Sequence, residues 1–193
     1  MKELHQMILS QGISMSGGIL RVDSFLNHRI DTGLITRMGQ AFYEAFRKKP
    51  VDLILTAESS GIAIALSTAQ AFSNIPVVFA KKGIAANMED RAYKSRLYSY
   101  TRGMETVIRV SKDYLPKGAR VLIIDDFLAN GEAAHALIDI VQQAGAQVVG
   151  IGICIEKAFQ SGGAALRSAG YKVVALASIT AIHEGKPVLL TKG

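Results

Sequence analysis

Two adjacent carboxylates, Asp125 and Asp126, directly follow the apolar run 121–124. A loop of small residues that contains Asn130 and Gly131 comes next, and after it a segment in which apolar residues recur at helical spacing. The backbone N–H groups of such a loop, at the N-terminus of a helix, form a cradle for an anion. Carboxylates beside a bound phosphate accept hydrogen bonds from sugar hydroxyls, either directly or through a divalent cation. The residue types and their order therefore predict a site for a phosphorylated sugar.

Two simpler interpretations of this stretch also have to be weighed. Asn130–Gly131 is a strong signal for a β-hairpin turn, but the helical spacing over residues 134–141 argues against a hairpin. One aspartate at the end of a strand is usually only a helix cap, which explains two adjacent aspartates less easily. The sequence contains neither a Walker-type phosphate loop nor a Gly-x-Gly-x-x-Gly dinucleotide fingerprint, so a phosphosugar site is the favoured interpretation.

The elements that hold these residues alternate along the chain. Near-continuous apolar runs, typical of parallel strands buried on both faces, predict strands at 51–56, 76–80, 120–125, 147–155 and 171–178. Helical spacing predicts helices at 1–11, 31–49, 61–72, 132–144 and 161–169. Asp31 is the expected N-cap of the second helix, and a hairpin-like insertion is expected over 97–110. This alternation predicts an α/β fold with right-handed crossovers, whose ligands bind beyond the carboxyl ends of the strands.

Composition excludes several classes of protein. The chain has 193 residues, of which 49% are apolar and 20% charged, with a mean hydropathy of +0.24, so it is not a disordered protein. Cys154 is the only cysteine, which excludes an intrachain disulfide and favours a cytoplasmic protein. The uncharged stretch between Glu58 and Lys81 is interrupted by polar residues, so we interpret it as a buried helix and a strand rather than a membrane span. A single domain over residues 1–193 is expected.

The positive charge of the chain is concentrated in one window. The 22 lysines and arginines exceed the 16 acidic residues by 6, and the window 81–102, with six basic and two acidic residues, carries +4 of this excess. Such a window attracts nucleic acid, phosphorylated metabolites or acidic proteins, although a solvated cationic loop is the simplest interpretation. A nucleic-acid partner is the least favoured of these, because the acidic pair offsets the positive charge and the sequence has no stacking pattern of interleaved aromatic residues.

Residues 125–131 resemble the diphosphoribosyl-binding motif of the type I phosphoribosyltransferase family, in which an acidic pair precedes a phosphate loop. Three further stretches, at 20–28, 58–63 and 152–159, resemble the xanthine-specific group of this family in their order and spacing. The resemblance extends over nearly the whole chain. It implies a mostly parallel sheet with flanking helices and a small hood, which about residues 1–30 form together with C-terminal elements. It also implies a cytoplasmic homodimer with no nucleic-acid or membrane partner.

The resemblance further implies a reaction. The 5-phosphoribosyl group of 5-phosphoribosyl 1-pyrophosphate (PRPP) would pass to xanthine, giving xanthosine 5′-monophosphate and pyrophosphate. Mg²⁺ would bridge the pyrophosphate and the ribose hydroxyls, and no metal would be bound by the protein alone. Asp125 and Asp126 would be the catalytic residues, because they orient the ribose and stabilise the positive charge that develops on it. Which of the two takes a proton from the purine is left open.

The remaining site residues are also implied by the resemblance. The 5-phosphate would be held by the loop residues Ala129, Asn130, Gly131, Glu132 and Ala133. Pyrophosphate would be held by Ser59, Ser60, Gly61 and Lys81. Xanthine would be contacted by Leu20, Asn27, Lys157 and Phe159. In this arrangement Lys157 donates to the exocyclic O6, Phe159 stacks on the ring, and Asn27 distinguishes the 2-oxo group of xanthine.

Other interpretations stay open at this point. Ser59 or Ser60 also suits a helix N-cap, and Phe159 suits core packing as well as stacking. Glu132 is unexpected beside a phosphate dianion, so we expect its side chain to point away or to meet a basic residue. A non-catalytic sensor of PRPP and a sister enzyme for guanine or hypoxanthine are the alternative functions, and turnover with each base separates them.

Overall fold

The computed structural model describes residues 1–83, 91–99, 104–183 and 185–190. Within these ranges the α-helices are Lys2–Gln11 (α1), Thr32–Phe46 (α2), Gly61–Ala71 (α3), Glu132–Gln143 (α4) and Gly162–Ser168 (α5). Two short strands, Ile13–Met15 (β1) and Ile19–Arg21 (β2), form an antiparallel pair near the N-terminus. The strands of the main sheet are Leu53–Ala57 (β3), Val77–Lys82 (β4), Ala92–Ser99 (β5), Met104–Ser111 (β6), Arg120–Leu128 (β7), Gln147–Lys157 (β8), Val173–His183 (β9) and Lys186–Leu189 (β10).

The main sheet has the strand order β10-β9-β8-β7-β3-β4-β6-β5. Its central strands β4, β3, β7, β8 and β9 are parallel. At one edge β10 pairs antiparallel with β9, and at the other edge β6 pairs antiparallel with both β4 and β5. The structure therefore confirms the expected α/β fold with a mostly parallel sheet and flanking helices. Because the carboxyl ends of the five parallel strands meet at one edge, residues from distant parts of the sequence converge there.

The strand β7 shows why its sequence is a continuous apolar run. Leu122 and Ile124 belong to the cluster of buried side chains that α2 and α3 cover, whereas Val121 and Ile123 belong to the cluster that α4 covers. Successive side chains of a strand point to opposite faces, and here both faces are buried, so all four positions need apolar residues. Asp125 is the first polar residue after this apolar run and lies where the strand approaches the carboxyl edge of the sheet.

The N-terminal segment packs against the C-terminal strands. Leu4 and Ile8 of α1 are fully buried in the same cluster as Ala177 and Ile179 of β9. The strand β1 also contacts β10. This arrangement is compatible with a hood made of N- and C-terminal elements, and the division of the chain into domains stays a prediction.

Several predicted boundaries differ from the observed ones. The strand β7 continues through the acidic pair to Leu128, and β8 continues to Lys157, because the ladder between the two strands extends to the pair Leu128 and Glu156. The hairpin begins at residue 92 rather than 97, and β10 was not predicted. Asp31 does cap α2, since its Oδ1 accepts a hydrogen bond of 2.9 Å from the N–H of Leu34.

Two further predictions concern the basic window 81–102 and the absence of a membrane span. The basic window 81–102 lies partly outside the described residues, which end at 83 and cover 91–99 within it. In the described part of the chain, no helix is both long enough and apolar enough to cross a membrane.

Candidate active site

The loop 129–131, where the sequence predicts an anion cradle, joins β7 to α4. Gly131 has φ of 97°, a left-handed conformation that glycine adopts without strain, and it turns the chain into the helix. The first hydrogen bond of α4 runs from the N–H of His135 to the carbonyl of Gly131, at 2.8 Å. The N–H groups of the residues before His135 therefore have no acceptor within the helix. Residues 129–134 line a cleft of about 520 Å³, so these donors and the positive end of the helix dipole are open to an anion.

The start of α5 holds this loop in place. The N–H of Gly162 donates a hydrogen bond of 3.1 Å to the carbonyl of Ala129. A Cβ at position 162 would lie 2.5 Å from the oxygen of Ala129 and 2.6 Å from the nitrogen of Gly131, which is closer than real Cβ contacts allow. The close approach of two backbones therefore needs glycine at this position, and it fixes the shape of the cradle.

The acidic pair is buried directly before the cradle. Asp125 and Asp126 are only 8% and 9% exposed. Asp125 Oδ1 accepts a hydrogen bond of 2.9 Å from the N–H of Asp126, and Asp126 Oδ1 accepts one of 3.0 Å from the N–H of Phe127. These local bonds fix the orientation of both carboxylates.

Burial and the charge of the neighbouring Asp126 raise the pKa of Asp125 well above its usual value, while the positive charge of Lys82 acts in the opposite direction. Beneath the pair, burial and the two carboxylates also raise the pKa of the Cys154 thiol. Cys154 is a buried thiol, as the sequence predicts, and its Sγ lies 3.7 Å from the Sδ of Met38.

The loop 58–61 meets the acidic pair at the start of α3. A Cβ at Gly61 would lie 3.1 Å from Asp125 Oδ1 and 2.1 Å from Thr56 Oγ1, so the helix begins against both side chains. Ser60 occupies the N-cap position, but its side chain accepts no hydrogen bond from the helix, because it has helical φ and ψ of −67° and −30° instead of the extended conformation of capping serines. The interpretation of Ser60 as a capping side chain is therefore wrong. Ser59 is exposed beside it.

The two lysines at the end of β4 have different surroundings. Lys81 has its Nζ 5.9 Å from the ring centroid of Phe79 and lines a separate cavity with Arg109. Lys82 is the lysine whose charge acts on Asp125, and its N–H donates a hydrogen bond of 2.5 Å to Glu58 Oε1. Adjacent residues of a strand point to opposite faces, which separates the two side chains. The charge of Lys82 thus acts on Asp125, and the contact of Lys81 with pyrophosphate stays a prediction.

The far end of the cleft contains Lys157. Its Nζ donates a hydrogen bond of 3.0 Å to the carbonyl of Gly18 and lies 5.8 Å from the centroid of the Phe127 ring. Partial burial lowers the pKa of Lys157 from its ordinary value of 10.5. Gly17 and Ile19 from the N-terminal segment also line this end. An ammonium group and an aromatic face thus stand together on the wall of the cleft.

Three residues predicted to contact the base do not line this cleft in the described part of the chain. Leu20 is buried in the core cluster, and Asn27 is exposed on the N-terminal segment. Phe159 is 40% exposed and lines a neighbouring cavity, where it contacts Gly18. Its exposure excludes the interpretation of Phe159 as a core residue. Contacts of these three side chains with a base stay predictions.

Phe127 and Gln160 are among the cleft residues that were not predicted from the sequence. Phe127 follows the acidic pair and presents its ring beside Lys157. Gln160 enters the cleft because a turn closes with its N–H donating to the carbonyl of Lys157 at 2.9 Å. Its Oε1 is buried and has no hydrogen-bond partner among the described residues. The only hint of this role in the sequence is that Gln160, with its carboxamide, follows Lys157 by three residues.

Glu132 also lines the cleft, at the first position of α4. Among the described residues it forms no ion pair, so the expected basic partner is not found there. The described residues also contain no group of three or more His, Cys, Asp or Glu side chains that could hold a metal ion. Mg²⁺ commonly binds through substrate phosphates, water and only one or two carboxylates, and the acidic pair beside an anion cradle suits that mode.

Comparisons with known proteins place this arrangement in a family. The phosphoribosyl transferase domain matches residues 22–187. Xanthine phosphoribosyltransferase of Clostridioides difficile is 47% identical over 185 residues, which cover 96% of this chain and 97% of that protein. The protein of the same name from Laribacter hongkongensis is 49% identical over 186 residues, with 96% and 98% covered.

A crystal structure of adenine phosphoribosyltransferase from Rhodothermus marinus matches with a TM-score of 0.73 at 23% identity, over 92% of this chain and 99% of that one, and supports the fold alone. The domain match and the full-length relatives establish more than the fold: this chain belongs to the phosphoribosyltransferase family, in the group of the xanthine phosphoribosyltransferases.

Proposed function

We propose that this protein transfers the 5-phosphoribosyl group of PRPP to xanthine and releases pyrophosphate. The observation that supports this most strongly is a single cleft with an anion cradle at residues 129–134 and Lys157 with Gln160 at the other end. Such a cleft holds a phosphate and a purine at the same time. The relatives that share the group's name and nearly half of this sequence support xanthine as the purine.

In this reaction a ring nitrogen of the purine forms a bond to ribose C1 while the bond from C1 to the pyrophosphate oxygen breaks. The ribose becomes positively charged and the leaving group negatively charged. The buried carboxylates of Asp125 and Asp126 stabilise the positive charge, and they do so strongly because little water screens them. Because its pKa is raised, we assign to Asp125 the proton that the attacking purine loses.

The leaving pyrophosphate lies near the start of α3. The N–H groups at the start of that helix, the hydroxyls of Ser59 and Ser60, and the ammonium group of Lys82 are the donors available there. We assign Lys82 this role because it is the basic residue whose charge acts on the acidic pair. Mg²⁺ enters together with PRPP and neutralises the charge of its phosphates. A cytoplasmic homodimer, as the family resemblance implies, is part of the proposal.

The base end of the cleft favours purines with an oxygen at position 6. The Lys157 ammonium donates to O6, and the Oε1 of Gln160 accepts from the neighbouring N1–H, which gives that buried oxygen the partner it lacks among the described residues. The ring of Phe127 packs against the face of the base. Adenine has an amino group at position 6 and no hydrogen on N1, so it would present a donor to a donor and an acceptor to an acceptor. We further propose that Asn27 contacts the 2-oxo group of xanthine.

The test is pyrophosphate release by the purified protein with Mg²⁺ and PRPP, measured with xanthine, guanine, hypoxanthine and adenine at equal concentration. We expect the fastest turnover with xanthine and the slowest with adenine. Faster turnover with guanine or hypoxanthine would assign the chain to a sister enzyme. Binding of PRPP without turnover of any base would overturn the enzyme and support a sensor of PRPP.

A further inference from the structure

A second cavity, of about 830 Å³, lies beside the edge of the sheet that β4, β6 and β5 form. It shares none of its described lining residues with the cleft of the acidic pair. Its lining includes aromatic and charged side chains, which are Phe79, Lys81, Arg91, Arg109, Asp113 and Tyr114. The reaction proposed above uses none of these residues.

Arg109 is the central feature of this cavity. Its side chain is only 5% exposed, and neither Nε nor Nη1 has a hydrogen-bond partner among the described residues. A guanidinium group does not lose its proton in a protein, and a buried charge without a partner is strongly unfavourable. A group that accepts hydrogen bonds and carries negative charge is therefore missing from its surroundings.

The register of the sheet places further positive charge around Arg109. Arg109 stands directly opposite Lys81 on β4 and opposite Lys94 on β5. Side chains of directly opposed residues lie on the same face, and like charges in such positions repel. An anion on this face would relieve the repulsion within the row of three cations.

The neighbouring carboxylates do not fill this role. Asp113 is paired with Arg91 at 2.8 Å, and Glu105 is paired with Arg96 at 3.3 Å. Both acids are thus already engaged with arginines other than Arg109. Among the described residues, therefore, no carboxylate near this cavity is free to pair with Arg109.

Aromatic rings complete the cavity. Phe79 and Tyr114 both line it and are both exposed to solvent. The Nζ of Lys81 lies 5.9 Å from the centroid of the Phe79 ring, so a cation and an aromatic face occur side by side. A ligand that carries both a phosphate and a flat heterocycle matches this combination.

We propose that this cavity is a second binding site for a nucleoside phosphate, separate from the active-site cleft. The phosphate accepts hydrogen bonds from Nε and Nη1 of Arg109 and is attracted by Lys81. The heterocycle packs against Phe79 or Tyr114. The inference does not depend on which purine the enzyme uses, because its residues lie outside the cleft.

The test counts binding sites by titration calorimetry with guanosine 5′-monophosphate. The active-site cleft also binds a nucleotide, so the wild type should bind two equivalents per chain. Arg109→Met, which keeps the volume and removes the charge, should lose the second equivalent, with an affinity there weaker by about 30-fold or more. The equivalent retained in the cleft reports that the variant is folded.

Further variants and competing ligands test whether the second equivalent binds in this cavity through its phosphate. Lys81→Met, at a side chain on the edge of the same cavity, should also weaken the second site, and it serves if Arg109→Met does not fold. Arg96→Met removes an exposed cation of the same hairpin outside the cavity and should leave both equivalents. Inorganic phosphate should compete for the second site, whereas guanosine without a phosphate should not.

Two results would overturn the proposal. One is a single equivalent bound by the wild type, or two equivalents still bound by both cavity variants. The other is a change in the mass of the protein in solution on Arg109→Met with no change in nucleotide binding. That result would mean that a second copy of the chain, and not a nucleotide, covers Arg109.

Discussion

The two ends of the active-site cleft are built in different ways. The end that we propose for phosphate comes from one continuous stretch, residues 129–134, and its donors are backbone N–H groups. The base end combines Gly17 and Ile19, Phe127, and Lys157 with Gln160, which are far apart in the sequence and act largely through side chains. A backbone site depends on local chain geometry, whereas a side-chain site depends on how distant elements pack. Changes at the two ends should therefore affect different substrates.

The largest effect should come from the acidic pair, which lies directly before the cradle. Asp125→Asn should lower kcat by about 10²–10³-fold, because it removes a buried negative charge that stabilises the developing positive charge of the ribose. Steady-state rates at saturating PRPP and xanthine measure this loss. Asp139→Asn, which changes an exposed carboxylate of α4, is the matched control and should keep the rate of the wild type.

Asp125→Asn should lower activity without lowering the stability of the fold at neutral pH. The raised pKa of Asp125 means that the folded protein binds its proton more tightly than the unfolded chain, for which the value is about 3.9. The stability that Asp125 contributes is therefore complete below that value and is lost as pH rises through the folded-state pKa. At neutral pH, Asp125→Asn should melt no lower than the wild type. A much lower melting temperature would show that its loss of activity is only unfolding.

The next effect concerns the shape of the cradle. Gly162→Ala places a Cβ 2.5 Å from the carbonyl oxygen of Ala129, so the loop must shift, and KM for PRPP should rise by up to about 10²-fold. KM for xanthine should change little. Gly33→Ala, in α2, is the control, because its Cβ would meet the flexible end of Arg37 at 3.3 Å and Asp31 Oδ1 at an ordinary contact distance of 3.5 Å. Equal losses for PRPP and xanthine would contradict the separation of the two ends.

A smaller effect is expected at Gln160. Gln160→Met should raise KM for xanthine by about tenfold, since one hydrogen bond to a neutral group is lost. Comparison with 1-methylxanthine, which lacks the N1–H, sharpens the test. The methyl group should impair the wild type and have little further effect on the variant. Independent, additive losses from the two changes would show that Gln160 Oε1 does not accept from N1–H.

The sequence predicts the backbone parts of the site well because they depend on local order. The apolar run before Asp125, the loop with Gly131 and the helix after it are all found in the predicted order. The interpretation of Cys154 as a buried thiol is likewise confirmed. Each of these features depends on neighbours within a few residues in the chain, or on hydrophobicity alone.

The parts that the sequence misses depend on direction and register. Lys81 and Lys82 are equivalent in a charge count, and only the faces of β4 separate them. Phe159 and Phe127 are both aromatic residues near strand ends, but only Phe127 lines the cleft. The extension of β7 to Leu128 and the presence of β10 depend on pairing with neighbouring strands, which a single sequence does not display.

Whether the two ends of the cleft bind different substrates is tested most directly by two KM values of Lys157→Met, one for xanthine and one for PRPP. The side chain keeps its length and loses the ammonium group that donates to O6. We expect KM for xanthine to rise by about 10-fold to 100-fold while KM for PRPP stays near that of the wild type. We also expect the preference for xanthine over adenine to shrink. A rise in KM for PRPP of the same size, or an unchanged preference between the two bases, would contradict a cleft whose separate ends bind phosphate and purine.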